Sequence, residues 1–164
     1  MYIYHLIIFL HNLDMHGKQI TIRIKRVYGA PEEADGHRIL VDRLWARGVS
    51  KEKAKINLWV KEIAPSTELR HWYGHNPAKW TGFKTRYFAE LEANPGKVED
   101  ILAEVEAGVV TFLYSAKDER LNNAVALKEY IESKIKVAAG LVRTPAADSD
   151  VIINLKKKEE KWKS

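Results

Sequence analysis

Asp42-Arg43-Leu44-Trp45-Ala46-Arg47-Gly48, followed by Ser50 and Lys51, is the densest group of chemistry-bearing residues in the sequence. Arg43 and Arg47 stand four apart, which puts both on one face of a helix or an extended segment. Two guanidinium groups can then converge on a phosphate or carboxylate with bidentate geometry. The competing arrangement pairs Arg43 with a carboxylate at the core edge and leaves Arg47 in water. A second group is Lys61, Ser66 and Arg70, where a Ser at a helix start either offers backbone N–H groups to an anion or simply caps the helix. The third is Tyr114, Ser115, Lys117, Asp118 and Asn122. It follows the most strand-like run in the chain, at the kind of strand exit where open α/β sheets bind ligands, although Asp118 suits a helix cap equally well.

His71 and His75 have the i, i+4 spacing of a metal-binding helix, with Glu68 just before them. Gly74 interrupts that helix and no third ligand is placed, so no metal is expected. His75 and Asp118 are the candidates for proton transfer, with Tyr114 orienting the ligand. Arg43, Arg47, Lys61, Ser66, Arg70, Tyr114 and Lys117 are the candidates for holding negative charge. Four of the five tryptophans, Trp45, Trp59, Trp72 and Trp80, suit a core better than base stacking. A P-loop, a dinucleotide fingerprint, a Gly-x-Ser-x-Gly elbow and a His-Glu-x-x-His motif are all absent, and no cofactor is expected.

The elements that must position these residues follow from periodicity. Ile20, Ile22 and Ile24 alternate with Thr21, Arg23 and Lys25, the pattern of a half-buried strand. Arg38 to Asp42 is a short second strand. Ile56 to Lys61 is a third, unless Ser50 and the charges after it begin a helix there. Pro65-Ser66, Asn76-Pro77 and Asn94-Pro95 mark helix starts. Trp80, Phe83, Tyr87 and Leu91 repeat at helical spacing, as do Val98, Ile101, Leu102 and Val105 before Gly108. Val109 to Tyr114 is apolar on both faces, which predicts a central strand covered by helices on each side, and Asp118 then caps a helix carrying Leu121, Ala124, Val125, Leu127 and Ile131. The expected fold is α/β: a small, mostly parallel sheet flanked by helices in a single compact domain.

A chain of 164 residues supports one core with tails. We divide it into an extension over 1–18, an α/β domain over 19–136 and a peripheral tail over 137–164. The first ten residues are apolar but too few for a bilayer span, and no basic stretch precedes them as in a signal peptide. Having no cysteine, the protein has no disulfide and no thiolate chemistry, which fits a reducing compartment and predicts a cytoplasmic location. The net charge of +5 favours acidic partners, but part of it belongs to the lysines of the tail. Three functional readings follow. The leading one is a crevice for an anionic small molecule; the others are a non-catalytic nucleic-acid-binding module and a polar cluster that only fixes the fold.

Four segments carry a further signal: Arg26-Val27-Tyr28, Arg38 through Gly48, Ala64 through His75, and Leu113 through Asp118. Together they resemble the YeaO-like domain-of-unknown-function family, from about Ile20 to about Ile135. Ala46 stands where that family commonly has Pro. The resemblance implies a small α/β domain found in bacteria and archaea, without an established reaction. It also implies that the family pattern includes Asp42, Arg43, Trp45, Arg47, Lys61, Ser66, Arg70, Trp72, His75, Tyr114, Lys117, Asp118 and Asn122. Some members bear a methyltransferase label, but this chain has no Gly-rich cofactor loop.

Overall fold

The computed structural model describes residues 20–140, so the extension over 1–18 and the tail from 141 onward lie outside the described residues. Strands β1 (Ile22–Arg26), β2 (His37–Leu40), β3 (Leu58–Trp59) and β4 (Val110–Tyr114) form one sheet in the order β1-β4-β2-β3. Every pairing is parallel. Strand β4 lies between β1 and β2, with Phe112 opposite Ile24 on one side and Ile39 on the other. All five of its residues are buried, as a strand covered on both faces requires.

The helices are α1 (Thr67–Tyr73), α2 (Trp80–Glu92), α3 (Pro95–Ala107) and α4 (Asn123–Ala138). Ser66 caps α1 by accepting the Leu69 N–H, and the left-handed Gly74 ends it. Asn76 caps a 3-10 turn, Pro77–Lys79, that runs directly into α2. Phe83, Tyr87 and Leu91 of α2, Val98, Ile101 and Val105 of α3, and Ala124, Leu127 and Ile131 of α4 are buried at helical spacing. They pack on Ile22, Ile39, Val41, Val110, Phe112 and Tyr114, one face of the sheet.

The opposite face differs from the expectation of helices on both sides. Leu40 and Leu113 are covered there by Val27, Ala46, Ala54 and Ile56, with Trp45 and Val49 packed around them. The connection between β2 and β3 supplies most of this cover. Within it Ser50 caps only a single turn, accepting the Lys53 N–H through its hydroxyl and the Ala54 N–H through its carbonyl. Lys55, at φ 46, then turns the chain toward β3. The segment therefore makes a turn and no helix, and the third strand is shortened to Leu58–Trp59. A second correction concerns Asp118, whose carboxylate accepts the N–H groups of Arg120 and Leu121 in a turn. The helix begins one turn later, capped by the Asn122 side chain on the Val125 N–H.

On the loop-covered face Arg38 is 2% exposed. Its guanidinium pairs with Asp35 and donates to the Ala54 carbonyl at 2.9 Å. Lys25 reaches the same carboxylate at 3.2 Å, and the buried Thr111 hydroxyl donates to the Asp35 carbonyl at 2.6 Å. Between Asp35 and β2, Gly36 runs against β4: a Cβ there would stand 2.1 Å from the Val109 carbonyl oxygen.

Candidate functional site

Because all four strands are parallel, their carboxyl ends share one edge of the sheet, where the chain leaves β2, β3 and β4 in loops. A cavity of about 530 Å³ opens there, within the size range of small-molecule sites. Asp42 and Arg43 enter it after β2, Ala64 and Pro65 after β3, and Ser115 and Ala116 after β4. Helix α1 and its end contribute Arg70, His71, Tyr73, Gly74 and His75, and the start of α4 contributes Asn122 and Asn123.

Asp42 joins three of these elements. One carboxylate oxygen accepts the Ser115 N–H at 2.8 Å and the Ser115 hydroxyl; the other accepts the Asn123 amide at 3.1 Å. The Asp42 backbone carbonyl accepts the Trp59 indole N–H at 2.8 Å, tying β3 to the same point. Asp42 is thus a clamp between the ends of β2, β4 and the first residue of α4.

Arg43 donates from Nε to the Pro65 carbonyl at 3.0 Å and from Nη2 to the Ala64 carbonyl at 3.3 Å. Backbone oxygens fix the plane of the guanidinium and use two of its five N–H donors. Arg70, one turn into α1, lines the same cavity, and its buried Nε has no hydrogen-bond partner. Among the described residues neither arginine has a carboxylate within salt-bridge distance.

His75, at φ 55, follows Gly74, at φ 51, so two consecutive residues take the left-handed conformation. His is one of the few side chains enriched there. The turn sets the His75 ring against Tyr73, with centroids 5.8 Å apart. Burial, reinforced by the charge of Asp118, raises the Tyr73 hydroxyl above its ordinary range, and that hydroxyl donates to the Leu121 carbonyl at 3.0 Å. The Asp118 carboxyl is lowered, first by the N–H groups of Arg120 and Leu121 and then by the charges of Arg120 and His75.

The cavity therefore brings together Arg43, Arg70 and His75 of the expected set, with Asp118 near His75. The other residues are elsewhere. The Arg47 side chain is exposed on the loop-covered side, where its carbonyl accepts the Tyr28 hydroxyl. Lys61 is exposed beside Glu62 at 3.8 Å. The Tyr114 ring is buried in the helix-facing core, and Lys117 is exposed outside the lining. Ser66 faces Glu90, which accepts its N–H at 2.9 Å and its hydroxyl at 2.5 Å, so the start of α1 already holds a carboxylate. The lining also includes Asn123, Tyr73 and Phe83, which the sequence reading did not select. Only the doubled Asn122-Asn123 at a helix start could have pointed to the first, because two polar residues there exceed what one cap needs.

A family model described as the inactive DUF488-N3 subclade matches residues 21–150. The chain belongs to this family. Its relatives include the uncharacterized protein YeaO of Escherichia coli (strain K12), 39% identical over 114 residues, which span 70% of this chain and 99% of YeaO. The uncharacterized protein Rv3073c of Mycobacterium tuberculosis (strain ATCC 25618 / H37Rv) is 39% identical over 82 residues, 50% of this chain and 70% of that protein. No solved structure matches. Among the described residues of this DUF488-N3 member, no helix is long and apolar enough to cross a membrane, and no three His, Asp or Glu side chains are grouped to hold a metal ion.

Proposed function

We propose that the crevice at the carboxyl edge of the sheet binds a small anionic molecule and holds it without transforming it. One observation carries this reading: Arg43 and Arg70 line one cavity without a carboxylate partner among the described residues, and the Arg70 Nε is buried with no acceptor. Two guanidinium groups at one cavity wall with no counter-charge gain from an anion placed between them, which supplies that charge. Binding without catalysis accords with the word "inactive" in the family's description and with the chemistry of the lining. The Ser115 hydroxyl, the one aliphatic hydroxyl among the described residues that line the cavity, is committed to Asp42, and among the described residues no imidazole hydrogen-bonds to it. His75 then serves as a hydrogen-bonding wall of the site.

The test is thermal unfolding of the purified protein with inorganic phosphate, acetate, benzoate and nucleoside monophosphates, against sodium chloride of matched ionic strength. A rise in Tm that grows with the logarithm of ligand concentration, corresponding to about 2.7 kcal/mol of stabilisation at a hundredfold excess over Kd, is expected for at least one anion and is lost in Arg70→Gln. Rises no larger than those in sodium chloride, for every anion, reject the reading.

A further inference from the structure

Resting on that anion-binding reading, we infer that the ligand is an organic monocarboxylate with a flat apolar body, rather than a phosphate ester or polyphosphate. Carboxylates of the protein already stand at the two helix starts nearest the crevice, where a phosphate would ordinarily sit. Backbone N–H groups at helix starts are the usual phosphate cradle. At the start of α1, Glu90 takes both the N–H and the hydroxyl of Ser66. At the start of α4, Asp42 accepts from the Asn123 side chain and from Ser115. A phosphate entering either place meets a fixed negative charge.

What remains for an anion is the pair of guanidinium groups that line the cavity, Arg43 held in plane by two carbonyls and Arg70 without a carboxylate partner among the described residues. Planar N–H forks match a planar carboxylate in charge and geometry. Two arginines set against the Asp42 carboxylate in the same lining leave little net positive charge, enough for a monoanion and too little for a polyphosphate. Beside the polar residues His71, His75, Asn122 and Asn123, the wall has a continuous apolar part. Tyr73 and Phe83 stack with centroids 4.5 Å apart at its floor, and Ala64, Pro65 and Ala116 line its sides. At the rim Leu44 is 65% exposed, the most exposed of the large apolar side chains among the described residues, and it lines this cavity. A carboxylate held at the arginines places an attached ring against these groups.

Isothermal titration of the full-length protein with benzoate, acetate, inorganic phosphate and AMP tests this, alongside Arg70→Gln and Leu44→Ser variants. Leu44 is exposed, so its replacement leaves the unfolding midpoint unchanged. Benzoate is expected to bind at least tenfold more tightly than acetate, phosphate or AMP. Leu44→Ser is expected to weaken benzoate at least threefold without changing acetate, and Arg70→Gln to abolish both. If phosphate or AMP binds more tightly than benzoate and Arg70→Gln removes it, the anion site stands and the carboxylate assignment is overturned. Equal binding of acetate and benzoate overturns the apolar body. Binding by none of the four overturns the anion site itself.

Discussion

Arg38 and Asp35 form the one strongly buried ion pair among the described residues, and an ion pair away from water adds little net stability over an apolar replacement. Breaking it is different, because it strands a charge. Asp35→Asn leaves the Arg38 guanidinium inside the protein without its counter-charge and is expected to lower stability by on the order of 3 kcal/mol at neutral pH, read from urea unfolding. Burial raises the Asp35 carboxyl, but the Glu32 N–H, Lys25 and Arg38 outweigh it and hold it below its ordinary value. A carboxyl lowered in the folded state stabilises above its unfolded pKa of about 3.9, and that contribution is lost as the pH falls through the lower folded value. The unfolding midpoint of the wild-type protein is therefore expected to drop below about pH 4 more steeply than that of Asp35→Asn. Parallel pH profiles for the two proteins would contradict this account. Nothing in the spacing of Asp35 and Arg38 distinguished this pair in sequence, since surface carboxylate and guanidinium pairs three apart are common and burial alone gives this one its weight.

Helices and strands were the most legible part of the sequence, for a physical reason. Phe83, Tyr87 and Leu91, or Val110 through Tyr114, carry periodicity in a few consecutive residues, and the structure buries those side chains. Contacts between elements left no such mark. Tyr87 is fully buried and donates to the Ile63 carbonyl at 2.7 Å, fastening α2 to the turn before α1. Tyr87→Phe keeps the ring and leaves that carbonyl unsatisfied, so a loss of about 1 kcal/mol is expected in denaturant unfolding. Gly36 was legible only as one turn residue among several, yet it lets β2 begin against β4. Gly36→Ala requires left-handed φ and a Cβ within 2.1 Å of a carbonyl, so it is expected to cost roughly 1–3 kcal/mol from backbone strain and more from the displaced strand. A variant as stable as the parent would show that the strands separate there without penalty.

At the scale of the whole molecule, the sequence exposed the crevice in part. Asp42-Arg43 and Ser115 were identifiable as strand exits, and parallel strands bring such exits to one edge. The exclusion of Arg47, Lys61, Tyr114 and Lys117 was not readable. Each depends on which side of a loop faces the cavity, a property set by packing at Ala46, Ile63 and the core rather than by local spacing. The strand order β1-β4-β2-β3 has a further meaning for how the chain is made. Strand β4 sits between β1 and β2, and the ribosome delivers it last of the four. Until it emerges, β1 and β2 have no strand between them, so the early part of the nascent chain carries unpaired edges of the kind chaperones cover. A chain ending at Gly108 is therefore expected to lack a cooperative unfolding transition altogether. In the full protein, refolding must wait on contacts between distant parts of the sequence, which places it among slow-folding small domains, in milliseconds to seconds rather than microseconds.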